Sequence, residues 1–84
     1  MNILFIFIGN DDVIETKKII CILDYELIHS SPFKKLIAER KKKKQVSGNE
    51  KEAKSIIITD DRIYFSSLST FTLKKREDVY MTND

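Results

Sequence analysis

The chain has 84 residues with 15 Lys or Arg and 13 Asp or Glu, and its formal net charge at pH 7 is +2. That length allows one domain with a modest core. One cysteine and one histidine exclude an intrachain disulfide and leave too few ligands for a structural zinc site. Association with further copies is the support that remains, so we expect a single domain over residues 1–84 that forms a homo-oligomer.

An apolar run at residues 3–8 predicts a first strand that is buried on both faces. The run is too short for the apolar region of a signal peptide and far too short to cross a bilayer, so we expect a cytoplasmic protein. Turn residues at 9–12 and the apolar pair after them predict a hairpin with a second strand. Residues 19–25 predict a third strand, with Cys21 as a buried, unreactive thiol.

A helix is predicted in the middle of the chain, with Ser31 as its N-cap and Pro32 at its first position. Four residues recur at helical spacing on one stripe: Phe33, Leu36, Ile37 and Arg40. The apolar part of that stripe faces the core, so the helix is amphipathic. The lysines at 41–44 mark its C-terminal end, where cations interact favourably with the helix dipole, and residues 46–49 form a loop.

The last third of the chain predicts a second hairpin and a short helix. Residues 55–59 and 63–65 read as strands joined by a turn at Asp60-Asp61. A cap at Ser69 or Thr70 begins a short C-terminal helix. Together these elements predict an α+β fold: a small antiparallel sheet of about five strands, one amphipathic helix in the middle and a short C-terminal helix.

Residues suited to catalysis are sparse. The two glycines lie far apart, so there is no glycine-rich phosphate loop. The adjacent acids at 11–12 and 60–61 could hold a metal or act as acid and base, yet both pairs lie between strands, where Asp is an ordinary turn residue. We therefore expect a protein that is not an enzyme and has no cofactor, no metal and no small-molecule substrate.

Positive charge is concentrated between residues 34 and 54, where nine Lys or Arg face three Glu, which leaves the rest of the chain at −4. Lysines gathered on one surface bind duplex DNA, because phosphate contacts release counterions. The run at 41–44 could equally be a solvated helix end, or bind an acidic protein. The helix has one aromatic residue, which disfavours a membrane surface. Stacking on single strands could use Tyr64 or Phe65, but these point to opposite faces, so only one can be exposed.

Six segments, in the right order and over nearly the whole chain, carry a resemblance to a known family. They are residues 8–13 (IGNDDV), 16–20 (TKKII), 31–33 (SPF), 54–59 (KSIIIT), 63–66 (IYFS) and 68–76 (LSTFTLKKR). With these segments the chain resembles the RemA/RemB family of extracellular matrix regulatory proteins, and it looks closer to the RemB branch.

The resemblance implies properties that the residue patterns alone do not. Proteins of this family are transcription regulators that promote biofilm matrix expression, and their domain resembles half of a LytTR-type DNA-binding domain. The resemblance further implies a closed, ring-shaped homo-oligomer with double-stranded DNA along its basic outer surface. Pro32 matches a family proline at the helix start, where we expect it to affect assembly through helix placement.

The resemblance also identifies candidate DNA contacts. Lys18 stands where the family has an Arg before the third strand, and Lys51 and Glu52 stand where it has an Arg pair before the fourth. Because Glu52 departs from that pattern, Lys51 and Lys54 are the expected cations there, and Lys17 joins Lys18. Lysine attracts phosphate but lacks the two-pronged hydrogen bonding of arginine. The departure at Glu52 also keeps open an alternative, an oligomeric scaffold that binds an acidic protein instead of DNA.

Overall fold

The computed structural model describes residues 5–9 and 12–79, with side chains as far as residue 75. The strands within these residues are β1 (Phe5–Phe7), β2 (Val13–Glu15), β3 (Ile19–Asp24), β4 (Val46–Ser47), β5 (Ser55–Thr59) and β6 (Ile63–Ser66). The α-helices are α1 (Ser31–Lys42) and α2 (Thr70–Val79), and short 3-10 helices span Thr16–Lys18, Tyr25–His29 and Glu50–Glu52. The fold is α+β, as predicted.

The strands of the described residues form two sheets instead of the predicted single antiparallel sheet. β1 and β2 pair as an antiparallel hairpin, and the other four strands lie in the order β3-β5-β6-β4. β4 runs parallel to β6 and occupies residues that were predicted to be loop. A strand of two residues is too short to show an alternating pattern, which explains why the sequence did not reveal it.

The core has two parts, one on each face of the β5–β6 pair. The buried members of the first part are Ile6, Ile8, Ile14, Ile57 and Leu73. Those of the second part are Ile28, Ile37, Ile56, Ile63 and Phe65. Successive side chains of a strand point to opposite faces, so neighbouring isoleucines of β5 belong to different parts. The β1–β2 hairpin and α2 thus cover one face of the larger sheet, while α1 and the Tyr25–His29 helix cover the other.

Three sequence-based expectations, two about burial and one about the end of a strand, are corrected. In β1, Ile6 is fully buried but Phe5 is 51% exposed and Phe7 37% exposed, because the hairpin packs on the sheet with one face only. Residues 3, 4, 10 and 11 of the predicted hairpin lie outside the described residues. Cys21 is partly exposed, since β3 is an edge strand with a bulge beside Ile20. Tyr25, predicted to end the third strand, begins a 3-10 helix instead.

A serine precedes the first residue of each α-helix. α1 begins at Ser31, one residue earlier than predicted, so that Ser30 is the N-cap and Pro32 lies at the second helical position. α2 begins after Ser69, as predicted, and the Ser69 hydroxyl accepts a hydrogen bond from the Thr72 N–H at 3.1 Å. Among the described residues, neither helix is long and apolar enough to cross a membrane.

Gly48 occupies a backbone position that other residues tolerate poorly. Its φ is +98°, and a Cβ there would collide with the carbonyl oxygen of Phe65. We expect Gly48→Ala to reduce the free energy of unfolding by about 2 kcal/mol or more, from left-handed backbone strain and this collision. Urea unfolding measures the change, and Lys42→Ala at an exposed helix position serves as a control with little effect. An unchanged midpoint for Gly48→Ala would contradict this backbone geometry.

Candidate nucleic-acid interface

The four lysines predicted to contact DNA are all exposed, but they form two separate groups. Lys17 and Lys18 lie in the 3-10 helix before β3, whereas Lys51 and Lys54 lie just before β5. β3 and β5 are antiparallel, with Ile19 opposite Thr59 and Asp24 opposite Ser55. The groups therefore lie beyond opposite ends of β5, whose length at roughly 3.4 Å per residue sets a separation of at least about 14 Å. A single chain does not bring the four lysines together.

Residues 49–54, which we call the basic turn, carry Lys51 and Lys54. The Lys54 N–H donates to the Ser66 carbonyl at 2.7 Å, and the Lys54 carbonyl accepts from the Tyr25 N–H at 3.1 Å. Asn49 shapes the other end: its side-chain oxygen accepts from the Lys51 N–H at 3.0 Å, and its amide donates to the Glu52 carboxylate at 2.9 Å. The Asn-capped 3-10 helix leaves the Lys51 side chain in solvent.

Glu50 joins the basic turn to two other elements. Its carboxylate accepts a hydrogen bond from Lys41 Nζ at 2.8 Å and another from the Tyr25 hydroxyl at 2.9 Å. The hydrogen bond from Lys41 is the main reason that the pKa of Glu50 is lowered, and it outweighs partial burial. Burial, followed by the bond to Glu50, raises the pKa of Tyr25. The Tyr25 ring packs edge-on against Phe65, with ring centroids 6.1 Å apart.

α1 extends the positive surface beyond the basic turn. A groove of about 320 Å³ separates α1 from the Tyr25–His29 helix, and Lys34, Lys41 and Glu50 are among its lining residues. Lys34 and Lys41 lie two helical turns apart, on the same side of α1. We call the set Lys34, Lys41, Lys51 and Lys54 the α1–turn surface.

The run Lys41–Lys44 is the end of a helix, as the sequence predicted. α1 ends at Lys42, and Lys44 adopts a left-handed backbone with φ of 58°. Lys43 pairs with Glu39 at 3.7 Å on the exposed side of the helix. The run therefore serves more than one role, since Lys41 binds Glu50 while the following lysines lie in solvent.

The Lys17–Lys18 group borders an apolar groove that sequence reasoning missed. The groove has a volume of about 520 Å³ and includes Ile20, Cys21, Phe71 and Lys74, and we call it the β3–α2 groove. Ile20 is 65% exposed and Phe71 is 75% exposed. In α2, Leu73 is fully buried and stands among polar neighbours. In the sequence, the available signal for this groove was Phe71, an apolar residue among polar neighbours in the predicted C-terminal helix.

The aromatic residues of β6 do not form an open stacking surface. Phe65 is buried in the core on the α1 side, and Tyr64 packs half-buried against the core on the hairpin side. The two rings do lie on opposite faces, as predicted, but both faces of the sheet are covered. Stacking of single-stranded bases on β6 would require displacing the hairpin or α1, so the exposed lysines are the better candidates for nucleic-acid contact.

Comparison with known proteins addresses the resemblance carried by the six segments. The family model for RemA-like proteins, described as extracellular matrix regulatory protein A-like, matches residues 5–76. The chain belongs to the RemA-like family. A curated relative, Extracellular matrix regulatory protein B of Bacillus subtilis (strain 168), is 37% identical over 73 residues, which cover 87% of this chain and 89% of the relative. The predicted resemblance, including its closeness to the B-type protein, is therefore confirmed.

The RemA-like match includes every residue that was singled out as a contact. Lys17, Lys18, Lys51 and Lys54 all fall within the matched range, as does Pro32. Pro32 lies exposed in the first turn of α1. In this RemA-like chain, the roles of the lysines in DNA binding and of Pro32 in assembly stay predictions.

The lowered pKa of Glu50 predicts how the free energy of unfolding changes at acid pH. Because the folded-state pKa of Glu50 lies below its ordinary value of 4.5, this group stabilises the fold above that value, and the stabilisation is lost as pH falls through the lowered pKa. We expect the wild type to exceed Glu50→Gln in free energy of unfolding by about 1 kcal/mol or less at neutral pH, since the Glu50 side chain is 36% exposed to screening water. Urea unfolding between neutral pH and about pH 3 measures the gap, which should close at acid pH; a constant gap would contradict this.

Proposed function

We propose that this RemA-like protein is an oligomeric regulator that binds double-stranded DNA and controls transcription of extracellular matrix genes, including those of biofilm formation. It acts in the cytoplasm, without enzymatic activity. The observation that carries the proposal is the exposure of lysines on the α1–turn surface, within a chain that belongs to the RemA-like family. The relative's name, which describes an extracellular matrix regulatory protein, supports the regulatory role.

The chemistry of the exposed cations suits the phosphate backbone. A lysine ammonium attracts a phosphate as a point charge and releases a condensed counterion when it binds. Such contacts position a protein on DNA but do not read the bases. We therefore expect this surface to supply affinity and register, while sequence preference comes from the shape and deformability of the DNA.

Two separated lysine groups favour an oligomer over a monomer as the DNA-binding form. In one chain, Lys18 and Lys54 lie at opposite ends of β5, but in an assembly the group of one copy can lie beside the other group of the next. Two different apolar surfaces are also exposed. One is the outer face of the β1–β2 hairpin, with Phe5, Phe7 and Val13; the other is the β3–α2 groove.

Two different apolar surfaces on one chain favour head-to-tail contacts between copies. Such contacts form a closed ring when the rotations from copy to copy add up to a full turn. β3, which is an edge strand of the described sheet and lies beside the β3–α2 groove, can pair its outer backbone groups with another copy in such a contact. A ring formed in this way would repeat the α1–turn surface around its outside. The same arrangement would let neighbouring copies complete what resembles a LytTR-type domain.

Removing the cations of the basic turn tests the DNA contact. We expect Lys51→Ala with Lys54→Ala to weaken binding to a promoter-length duplex at least about tenfold at low salt and to flatten its salt dependence, because two phosphate contacts are lost. Lys35→Ala with Lys42→Ala removes the same charge from exposed positions of α1 outside the groove, so it should change affinity less than about threefold. Fluorescence anisotropy at several salt concentrations measures both variants. Equal losses of affinity in the two double variants would show that net charge, and not a contact at the basic turn, determines binding.

An acidic protein partner is the second candidate function. Its support is indirect: the Glu52 carboxylate stands in the basic turn next to Lys51, where it weakens the attraction to closely spaced phosphates. Wild-type protein that assembles but shows no duplex binding at low salt would support this candidate and exclude the first. Where the wild type does bind duplex DNA, replacing Lys17 and Lys18 by Ala gives a further distinction: lost DNA binding with intact assembly supports the first candidate, and unchanged binding supports the second.

A substitution in the β3–α2 groove tests whether this groove is the contact between copies. Phe71→Glu places a carboxylate in the groove at a side chain that is 75% exposed in the single chain, so the fold should remain intact while association is lost. Light scattering should give the mass of a monomer for this variant and a larger mass for the wild type. Leu27→Glu makes the same kind of exchange at a side chain that is 41% exposed on the opposite layer, and we expect it to leave the mass unchanged. A Phe71→Glu protein that keeps the wild-type mass would exclude the groove as the interface.

A further inference from the structure

The basic turn is attached to the rest of the protein at its two ends and at one point between them. At its start, the backbone of Gly48 approaches β6 so closely that a Cβ would collide with the Phe65 carbonyl. At its end, Ala53 packs against the core and the Lys54 N–H bonds to the Ser66 carbonyl. Between these attachments the chain leaves the sheet and forms the exposed 3-10 helix that carries Lys51.

Glu50 supplies the attachment between the ends. The hydrogen bonds of Asn49 join residues of the turn to one another, so they give the turn its shape but do not fix its orientation on the protein. The Glu50 carboxylate reaches outside the turn, to Lys41 in α1 and to Tyr25 in the preceding 3-10 helix. Both donors are themselves placed by packed elements, since Tyr25 lies on Phe65 and α1 buries Ile37.

We propose that Glu50 is a positioning residue for DNA binding: held by Lys41 and Tyr25, its carboxylate orients the basic turn so that Lys51 and Lys54 face the phosphate backbone. This inference rests on the proposed function and extends it to a residue that makes no DNA contact of its own. Under this proposal the negative charge of Glu50 favours the binding of DNA, whereas electrostatic repulsion alone would make that charge unfavourable.

Two glutamates of the same 3-10 helix make a matched test of that sign. Glu50 and Glu52 carry the same charge two positions apart. Within the described residues the Glu52 carboxylate bonds inside the turn, to the Asn49 amide, and a Gln there keeps an oxygen for that bond. If only the charge mattered, Glu50→Gln and Glu52→Gln would both bind duplex DNA more tightly. If Glu50 positions the turn, the two variants shift affinity in opposite directions.

The experiment measures affinity of the full chain for one duplex at low salt. We expect Glu50→Gln to bind about fivefold more weakly than the wild type, and Glu52→Gln to bind equally or up to about twofold more tightly. Tyr25→Phe leaves the net charge unchanged and keeps the ring against Phe65, but it removes one donor to Glu50, so it should weaken binding about twofold. Light scattering and thermal unfolding of each variant establish that assembly and fold are retained.

Amide hydrogen exchange measures the order of the basic turn directly, which a loss of affinity does not. In Glu50→Gln, the amides of Lys51, Glu52 and Ala53 should exchange faster, while those of β5 stay protected. Tighter binding by Glu50→Gln, or the same shift for both glutamate variants, would overturn the inference while leaving the proposed function intact. A wild type that binds no duplex would overturn both, which distinguishes the two failures.

Discussion

The burial of β5 on both faces is the constraint on which the rest of the structure depends. Ser-Ile-Ile-Ile-Thr lies between β3 and β6, and its backbone groups pair on both sides. Because Ile56 and Ile57 point to opposite faces and each is fully buried, the chain must provide a cover on each side. α1 with its preceding 3-10 helix supplies one cover, and the β1–β2 hairpin with α2 supplies the other. Buried Ser55 and Ser66 donate hydroxyl hydrogen bonds to the carbonyls of Leu68 and Ile8, which joins the second cover to the sheet.

The same constraint sets where charged residues can lie. Since both faces of the sheet are covered, the lysines lie in the connections before the strands, on α1 and just after it, and on α2. The basic turn enters β5 directly, so its backbone inherits the rigidity of the most buried strand. The Glu50 carboxylate, with the two hydrogen bonds it accepts, fixes the turn's outermost part to the neighbouring elements. In this basic surface, the backbone near β5 is held by the sheet, whereas the orientation of the outer part depends on the Glu50 side chain, which one substitution can alter.

Much of the fold was predictable, and the parts that were not have physical reasons. β5, β6 and their Asp60-Asp61 turn follow from a continuous apolar run and a polar pair, and α1 follows from its apolar stripe. β4 was missed because two residues carry no period, and the second sheet was missed because strand pairing is a long-range property. For the candidate site, the lysines were identified from charge and family resemblance. Their division into two groups, and the link through Glu50, depend on strand register and side-chain geometry that sequence spacing does not contain.

Under the proposed function, the separation of Lys18 from Lys54 along β5 has a consequence for how occupancy of a promoter would vary with the amount of protein. Each chain alone offers a few cations at each end, and such weak contacts gain strength mainly through avidity when copies are joined. Occupancy would then rise steeply once the concentration passes the level at which copies associate. A regulator built in this way answers to its own abundance, so a modest change in its synthesis or turnover could switch a promoter without any small-molecule signal. Copies that associate but lack the cations would interrupt the repeated surface and act as dominant inhibitors.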